Sequence, residues 1–147
     1  MIQHIDVHAV LQESVSGVYA DLVTRPTGRV VREGIERVMA SAAGDVAIAR
    51  IDFTGVGCID YSCADEIVAK LLRDRPAVLV LSGITDGHRE SIEPVLSGHG
   101  LAALIERADG TLEGLGAAAA AAALLDELVA RRLAARMPGG TYALTLA

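Results

Sequence analysis

An α/β domain with a largely parallel sheet is the fold class this sequence predicts, on three observations. Short apolar runs rich in β-branched residues, at 46–53 (VAIARIDF) and 77–81 (AVLVL), are too brief for helices and suit a sheet interior. Amphipathic stretches of helical period alternate with them. Glycine and proline mark nearly every junction between the two kinds of segment.

Taken in order, residues 2–10 alternate weakly and predict a first edge strand. Gly17 marks a turn. Residues 18–23 predict a second strand, with Val18, Ala20 and Leu22 on one face and Tyr19, Asp21 and Val23 on the other. In TRPTG, residues 24–28, Pro26 disfavours helical geometry at Arg25, so Thr27 is the expected cap of the first helix. That helix has Val30, Val31, Ile35, Val38 and Met39 on its apolar side and ends by Gly44.

The stretch IDFTGVGCIDYSCADEIVAKLL, residues 51–72, is the centre of the chain: a buried strand, a tight loop and an amphipathic helix. Ile67, Val68, Leu71 and Leu72 form the helix's inner side, opposite Lys70 and Arg73. The S-x-x-D spacing from Ser62 to Asp65 predicts Ser62 as the N-cap. Asp65 and Glu66 then lie in the first turn, where the helix dipole favours them and where they repel phosphate. Pro76 ends the helix, and the run at 77–81 is the next buried strand. Thr85 or Asp86 caps a further helix reaching about Leu96, with Ile92, Val95 and Leu96 inside. Gly98 and Gly100 stop it, and 101–106 is a short strand. Ile51, Phe53, Ile67, Leu71, Val78 and Val80 are expected in one core.

Composition shifts after Asp109-Gly110, which divides the chain into a main unit, 1–109, and a C-terminal extension, 110–147. The extension predicts a short extended piece at 111–116 and a helix over 117–136 with Leu124, Leu125, Leu128, Val129 and Leu133 on its apolar side. A last strand follows at 141–146, so that RLAARMPGGTYALTL allows a hairpin. Helix plus hairpin has the outline of half a winged helix. However, Arg131, Arg132 and Arg136 are balanced by Glu113, Asp126 and Glu127, and no reading helix precedes them. A packing or dimerising appendage is expected, with Leu128 and Leu133 facing the main unit or a second copy.

The 147 residues carry a net charge of −6, which argues against a nucleic-acid surface. No apolar run approaches the roughly 18 residues of a membrane span. The first residues lack the basic-then-apolar pattern of a secretory signal, so Cys58 and Cys63 are expected as reduced thiols of a cytoplasmic protein. With aromatics at 3%, the core must be built of Ala, Val, Leu and Ile.

Strand, loop, helix, buried strand and then SGITDGHRESIEPVLSGHGL together resemble a STAS domain, the module shared by anti-sigma-factor antagonists and sulphate-transporter tails. The matching positions are Ile59-Asp60, Tyr61-Ser62, Cys63, then Leu81-Ser82-Gly83 and Gly100-Leu101, and the likeness spans about 18–106. LVTRPTGRVVREGIE, DFTGV and SCADE look closer still to bacterial STAS-like proteins of unassigned function. The resemblance implies a mixed sheet with helices packed on one face, no chemistry of its own, and a partner-binding loop. That loop is made of Asp60, Tyr61, Ser62, Cys63 and Asp65. It also implies a protein partner, such as a histidine-kinase-like ATPase or an anti-sigma factor. Antagonists of this family are phosphorylated on the serine directly after the Asp. Here that position is Tyr61, and the usual Gly is Cys63, so binding without the serine phosphoswitch is expected.

Several residues have a second reading. Cys63 at a helix start is a candidate redox thiol, but Asp65 and Glu66 oppose a lowered pKa, and a small buried hydrophobe is the expected role. Arg25 and Arg29 beside Thr24 and Thr27 are candidate anion ligands for a small-ligand sensor. His4 and His8 with Asp6 fall short of a metal set. His88 and His99 read as surface residues bordering a helix. Ser62, His88 and Asp60 make a catalytic trio only if the fold brings them together. The expectation is therefore a non-catalytic interaction module without cofactor or metal, self-associating or bound to another protein.

Overall fold

The computed structural model describes residues 2–14, 20–41, 47–74 and 78–145. It is an α/β fold around one seven-stranded mixed sheet, in the order β1-β2-β3-β4-β5-β7-β6. The strands are β1 Ile2–Asp6, β2 Ile48–Asp52, β3 Val78–Ser82, β4 Ala102–Glu106, β5 Thr111–Gly116, β6 Ala134–Arg136 and β7 Tyr142–Leu144. β1 to β4 run parallel, with Ile5 opposite Ile51 and Ile51 opposite Leu81. β5, β7 and β6 are added antiparallel, so the sheet runs without a break from the main unit into the extension.

The helices are α1 Val7–Ser14, α2 Arg25–Ala40, a continuous rod over 61–74, α5 Asp86–Gly98 and α6 Ala118–Ala130. The rod consists of α3 Tyr61–Ala64, a π-helical turn Asp65–Ala69 and α4 Lys70–Asp74. From β1 to β4 each connection steps to the neighbouring strand in one direction across the sheet. Crossovers of constant, right-handed sense then place their helices on the same face. Val10, Leu11, Val31, Ile35, Ile67, Leu71, Ile92 and Leu96 accordingly share one core with Ala49, Ile51, Leu79, Leu81, Ala103 and Ile105 of the sheet.

The other face of the same strands carries Ile48, Val78, Val80, Leu104 and Leu112, clustered with Leu128 of α6 and Ala134 of β6. Val78 and Val80 therefore do not join Ile51, Phe53, Ile67 and Leu71. Strand side chains alternate between faces, and here both faces are covered. The helices of 1–109 pack on one face of the sheet, while α6 closes the opposite one. Its alanines permit a close approach: a Cβ built on Gly114 of β5 would lie 2.6 Å from Cβ of Ala121.

Several expected boundaries move. The first strand stops at Asp6, and Val7 to Val10 are helical, with Asp6 accepting a bond from the Ala9 amide. Gly17, Val18, Tyr19, Gly44, Val46, Pro76 and Ala77 lie outside the described residues. Of the expected second strand, Leu22 forms a single parallel bridge to Ile59. α2 begins at Arg25 because Pro26 sits in the first turn, where no amide is needed, and Thr24 takes the flanking position in place of Thr27. Val30 is exposed instead of facing the core.

α6 ends at Ala130, not Arg136. Arg132 adopts φ 60°, and the amides of Leu133 and Arg132 bond back to the carbonyls of Leu128 and Val129. That closure is normally a glycine's work. It frees Ala134–Arg136 to pair with Tyr142–Leu144 in the hairpin. Leu128 faces the sheet as expected of a packing appendage and is fully buried. Leu128→Ala is expected to cost about 2–5 kcal/mol in urea unfolding, as for other fully buried leucines. A loss within about 0.5 kcal/mol would show that α6 does not close the second core.

Candidate functional site

The 57–60 loop leaves the end of the β2 region and is gripped by the 20–24 segment. Leu22 N–H donates to Cys58 O at 2.8 Å, Asp60 N–H to Leu22 O at 2.9 Å, and Gly57 N–H to Ala20 O at 2.7 Å. The side chain of Asp21 accepts from the Cys58 amide at 2.9 Å. Leu22, fully buried, anchors the segment in the main core. From below, His88 reaches the same loop. Its Nδ1 accepts from the Thr85 amide at 3.1 Å, so Nε2 carries the proton and donates to Gly57 O at 2.6 Å.

His88 is therefore not a surface residue: it is 1% exposed, packs its ring near Phe53 and completes a capping box with Thr85. Both of its nitrogens are occupied, and Ser62 bonds elsewhere. The trio of Ser62, His88 and Asp60 thus does not assemble in the hydrogen-bonding order of a catalytic triad.

Asp60 is the hub. It is the N-cap of α3: Oδ1 accepts from the Cys63 amide at 2.8 Å and from the Ser62 hydroxyl at 2.8 Å. Oδ2 accepts from the Thr24 amide at 2.9 Å. Ser62, expected as the cap, sits two residues inside the helix and donates to the cap. Aspartate is as good a cap as serine, and the loop's extended geometry ends at Asp60. Burial pushes the Asp60 carboxyl up, but these donors outweigh it and hold it below the ordinary carboxylate value.

Thr24 bears a cost in this arrangement. Its φ of 69° and ψ of 141° lie in a region suited to glycine, and a β-branched residue is strained there. It is held by Asp60 at its amide, by the Cys63 thiol donating to its carbonyl at 3.1 Å, and by the Gly28 amide on the same carbonyl at 3.2 Å. Cys63 is fully buried, in keeping with the expected role of a small hydrophobe. Burial, with the Asp60 charge beside it, pushes its thiol up to about 12, the reverse of a reactive thiol.

Arg25, a candidate anion ligand from the sequence, is committed to two carboxylates. Its Nη1 donates to Asp65 Oδ2 at 2.8 Å and to Glu66 Oε1 at 2.9 Å. Glu66 is 0% exposed and also accepts from Lys70 at 2.8 Å, with Arg32 Nη2 at 3.5 Å from Oε2. Burial raises its carboxyl, yet Lys70 and Arg25 bring it below the ordinary value. α2 comes this close because Gly28 has no side chain: a Cβ there would stand 3.0 Å from Cβ of Glu66 and from Cα of Cys63.

Asp65 is likewise held below the ordinary value. Burial opposes this, while Arg25, Arg73 and His99 bring it about. In the sequence Asp65 and Glu66 read only as dipole-favoured residues of a first turn. The buried hub at Glu66 was missed, and its one sequence signal is Lys70 four residues on.

Of the five loop residues, Tyr61 alone points outward, with 63% of its surface exposed. It stands between two open depressions of about 640 and 650 Å³ along α5 that share Tyr61 and Pro94. His99 borders the first of them, exposed as expected. His4 is also exposed, and His8 lies against Gly55 and bonds Gln12. No family model, curated protein or solved structure matches the chain. Among the described residues no helix is long and apolar enough to cross a membrane.

Asp60→Ala is expected to destabilise by about 1–2 kcal/mol, and Ser62→Ala by less than half of that. Urea titration of the two variants checks the order, and a larger loss at Ser62 would return the cap to the serine. Thr24→Gly is expected to stabilise by roughly 1 kcal/mol, relief of strain exceeding glycine's added chain entropy. A lower melting midpoint for that variant would mean Thr24 carries no strain.

Proposed function

We propose that the chain is a non-catalytic, STAS-like regulatory module that binds a protein partner through the loop of Asp60, Tyr61, Ser62, Cys63 and Asp65, without a serine phosphoswitch. The observation that carries this reading is the division of labour within the loop. The side chains of Asp60, Ser62, Cys63 and Asp65 all bond to the protein's own groups, whereas the Tyr61 side chain makes no such bond among the described residues and stands 63% exposed at the start of the helical rod. A large aromatic on a pre-ordered loop contributes contact area at little entropic cost, which is what an interface anchor needs.

The phosphoswitch is set aside on chemical grounds. The Ser62 hydroxyl donates its proton to Asp60, and a phosphate there could not donate. It would place about two negative charges against that carboxylate, near Asp65. The residue at the family's phosphoserine position is Tyr61. A cytoplasmic ATPase of the histidine-kinase type, or an anti-sigma factor, is the partner class this reading favours.

The test uses the tagged full chain purified from its native host, with a photo-crosslinking residue in place of Tyr61 to identify the partner. Tyr61→Ala is expected to weaken capture of that partner by about 2 kcal/mol, as an anchoring aromatic does, while leaving thermal unfolding unchanged. Intact mass should show no phosphate. A stoichiometric phosphate on Ser62, or undiminished capture by Tyr61→Ala, would overturn the reading.

A further inference from the structure

The chain carries a net charge of −6, yet cations gather on one side of Tyr61. Asp65, largely buried, draws Arg25 Nη1 to 2.8 Å, His99 Nε2 to 3.3 Å and Arg73 Nη2 to 3.8 Å. The two guanidiniums remain more than two-fifths exposed, 45% for Arg25 and 42% for Arg73, and the His99 ring beside them is 42% exposed. Arg25 uses only Nη1 on its carboxylates. Among the described residues its Nε and Nη2 donors have no hydrogen-bond partner, and Arg73 has only the long contact to Asp65.

A guanidinium presents five donors in a fixed fork, so this arrangement retains several unused donors. Pro94 and Val95 of α5 supply an apolar wall opposite them. Beyond Tyr61 the surface continues into the second depression, bordered by Arg89, Glu90 and Glu93. From Arg89 to His99 the two depressions follow α5 for about 15 Å, a length that an extended segment of about four or five residues covers.

We propose that these two depressions dock an extended, acidic segment of a protein partner, with carboxylates facing Arg25 and Arg73 and an apolar side chain lying against Tyr61, Pro94 and Val95. The proposal rests on the Tyr61 interaction reading and adds to it the chemistry of the partner. Asp65 draws Arg25 and Arg73 to one place and, with Glu66 on Arg25, neutralises part of their charge, so the guanidiniums are gathered before the partner arrives. Glu90 and Glu93 at the far end set the direction, since a carboxylate there meets like charge.

The test is fluorescence anisotropy of the full chain with two labelled peptides of equal length, one alternating glutamate and leucine, the other lysine and leucine. The glutamate peptide is expected to bind, with affinity falling roughly tenfold or more when about 0.5 M salt replaces low salt. Arg73→Glu, at an exposed position, should weaken binding by a similar factor with unchanged thermal unfolding. Equal binding of the lysine peptide, binding of neither, or indifference to Arg73→Glu would overturn the proposal. A rise in molecular size with concentration that Arg73→Glu abolishes would make the occupant a second copy and also overturn it. A partner that crosslinks at Tyr61 but ignores Arg73→Glu would sink this inference while leaving the Tyr61 reading intact.

Discussion

One carboxylate sets the geometry on which the loop depends. Asp60 accepts from the Thr24 amide, the Ser62 hydroxyl and the Cys63 amide, and so joins three pieces of chain that are distant or differently folded. It starts the helical rod over 61–74, fixes the segment that leads into α2 and holds Thr24 in a conformation it would otherwise leave. The ionised form does this best. Its folded pKa is depressed, so the stabilisation is present at neutral pH and is lost as pH falls through the folded value, below the ordinary carboxylate range.

A second carboxylate continues the same linkage deeper in the molecule. Glu66 sits on the π-helical turn and is wholly buried between α2 and the rod, where Arg25, Arg32 and Lys70 converge on it. Burying a charge is costly unless it is paired, and removal of one partner strands the others. Arg25 follows Thr24 directly, so the Asp60 bond to Thr24 also delivers the guanidinium that Glu66 requires. The glycine at position 28 makes room for both. Loop shape and helix packing are thereby one arrangement, and Tyr61 is presented from a base with little freedom.

The alternation of strands and helices was legible because periodicity reports burial directly. The runs at 77–81 and 46–53, a cap at Thr85, one of the two positions expected, and the stop before Gly100 all rest on local chemistry, and the strands and helix lie there, save that Val46 and Ala77 fall outside the described residues and Phe53 lies just past its strand. What was not legible depends on partners far along the chain. Ser62 and Asp60 are both good caps, and only the Thr24 amide, 36 residues away, shows which one the fold uses. His88 looks like a surface residue of a helix start until Gly57 O is placed above it. Glu66 reads as a solvated first-turn acid because its neutralising arginines come from α2. The assignment of Val78 and Val80 to one core failed for a similar reason. A strand buried on both faces does not say which side chains meet which helix.

The sheet's two faces are completed at different times during synthesis. β1 to β4 and the helices on the first face are all encoded before residue 107, whereas the cover of the second face, α6 and the hairpin, comes after residue 117. Until those later residues have left the ribosome, Ile48, Val78, Val80 and Leu104 present an uncovered apolar stripe on a half-built sheet. Such a nascent intermediate is prone to self-association and is a natural client of chaperones that shield apolar surface. The alanine-rich helix, which looks like a passive appendage, is therefore the piece without which one whole face of the sheet stays open.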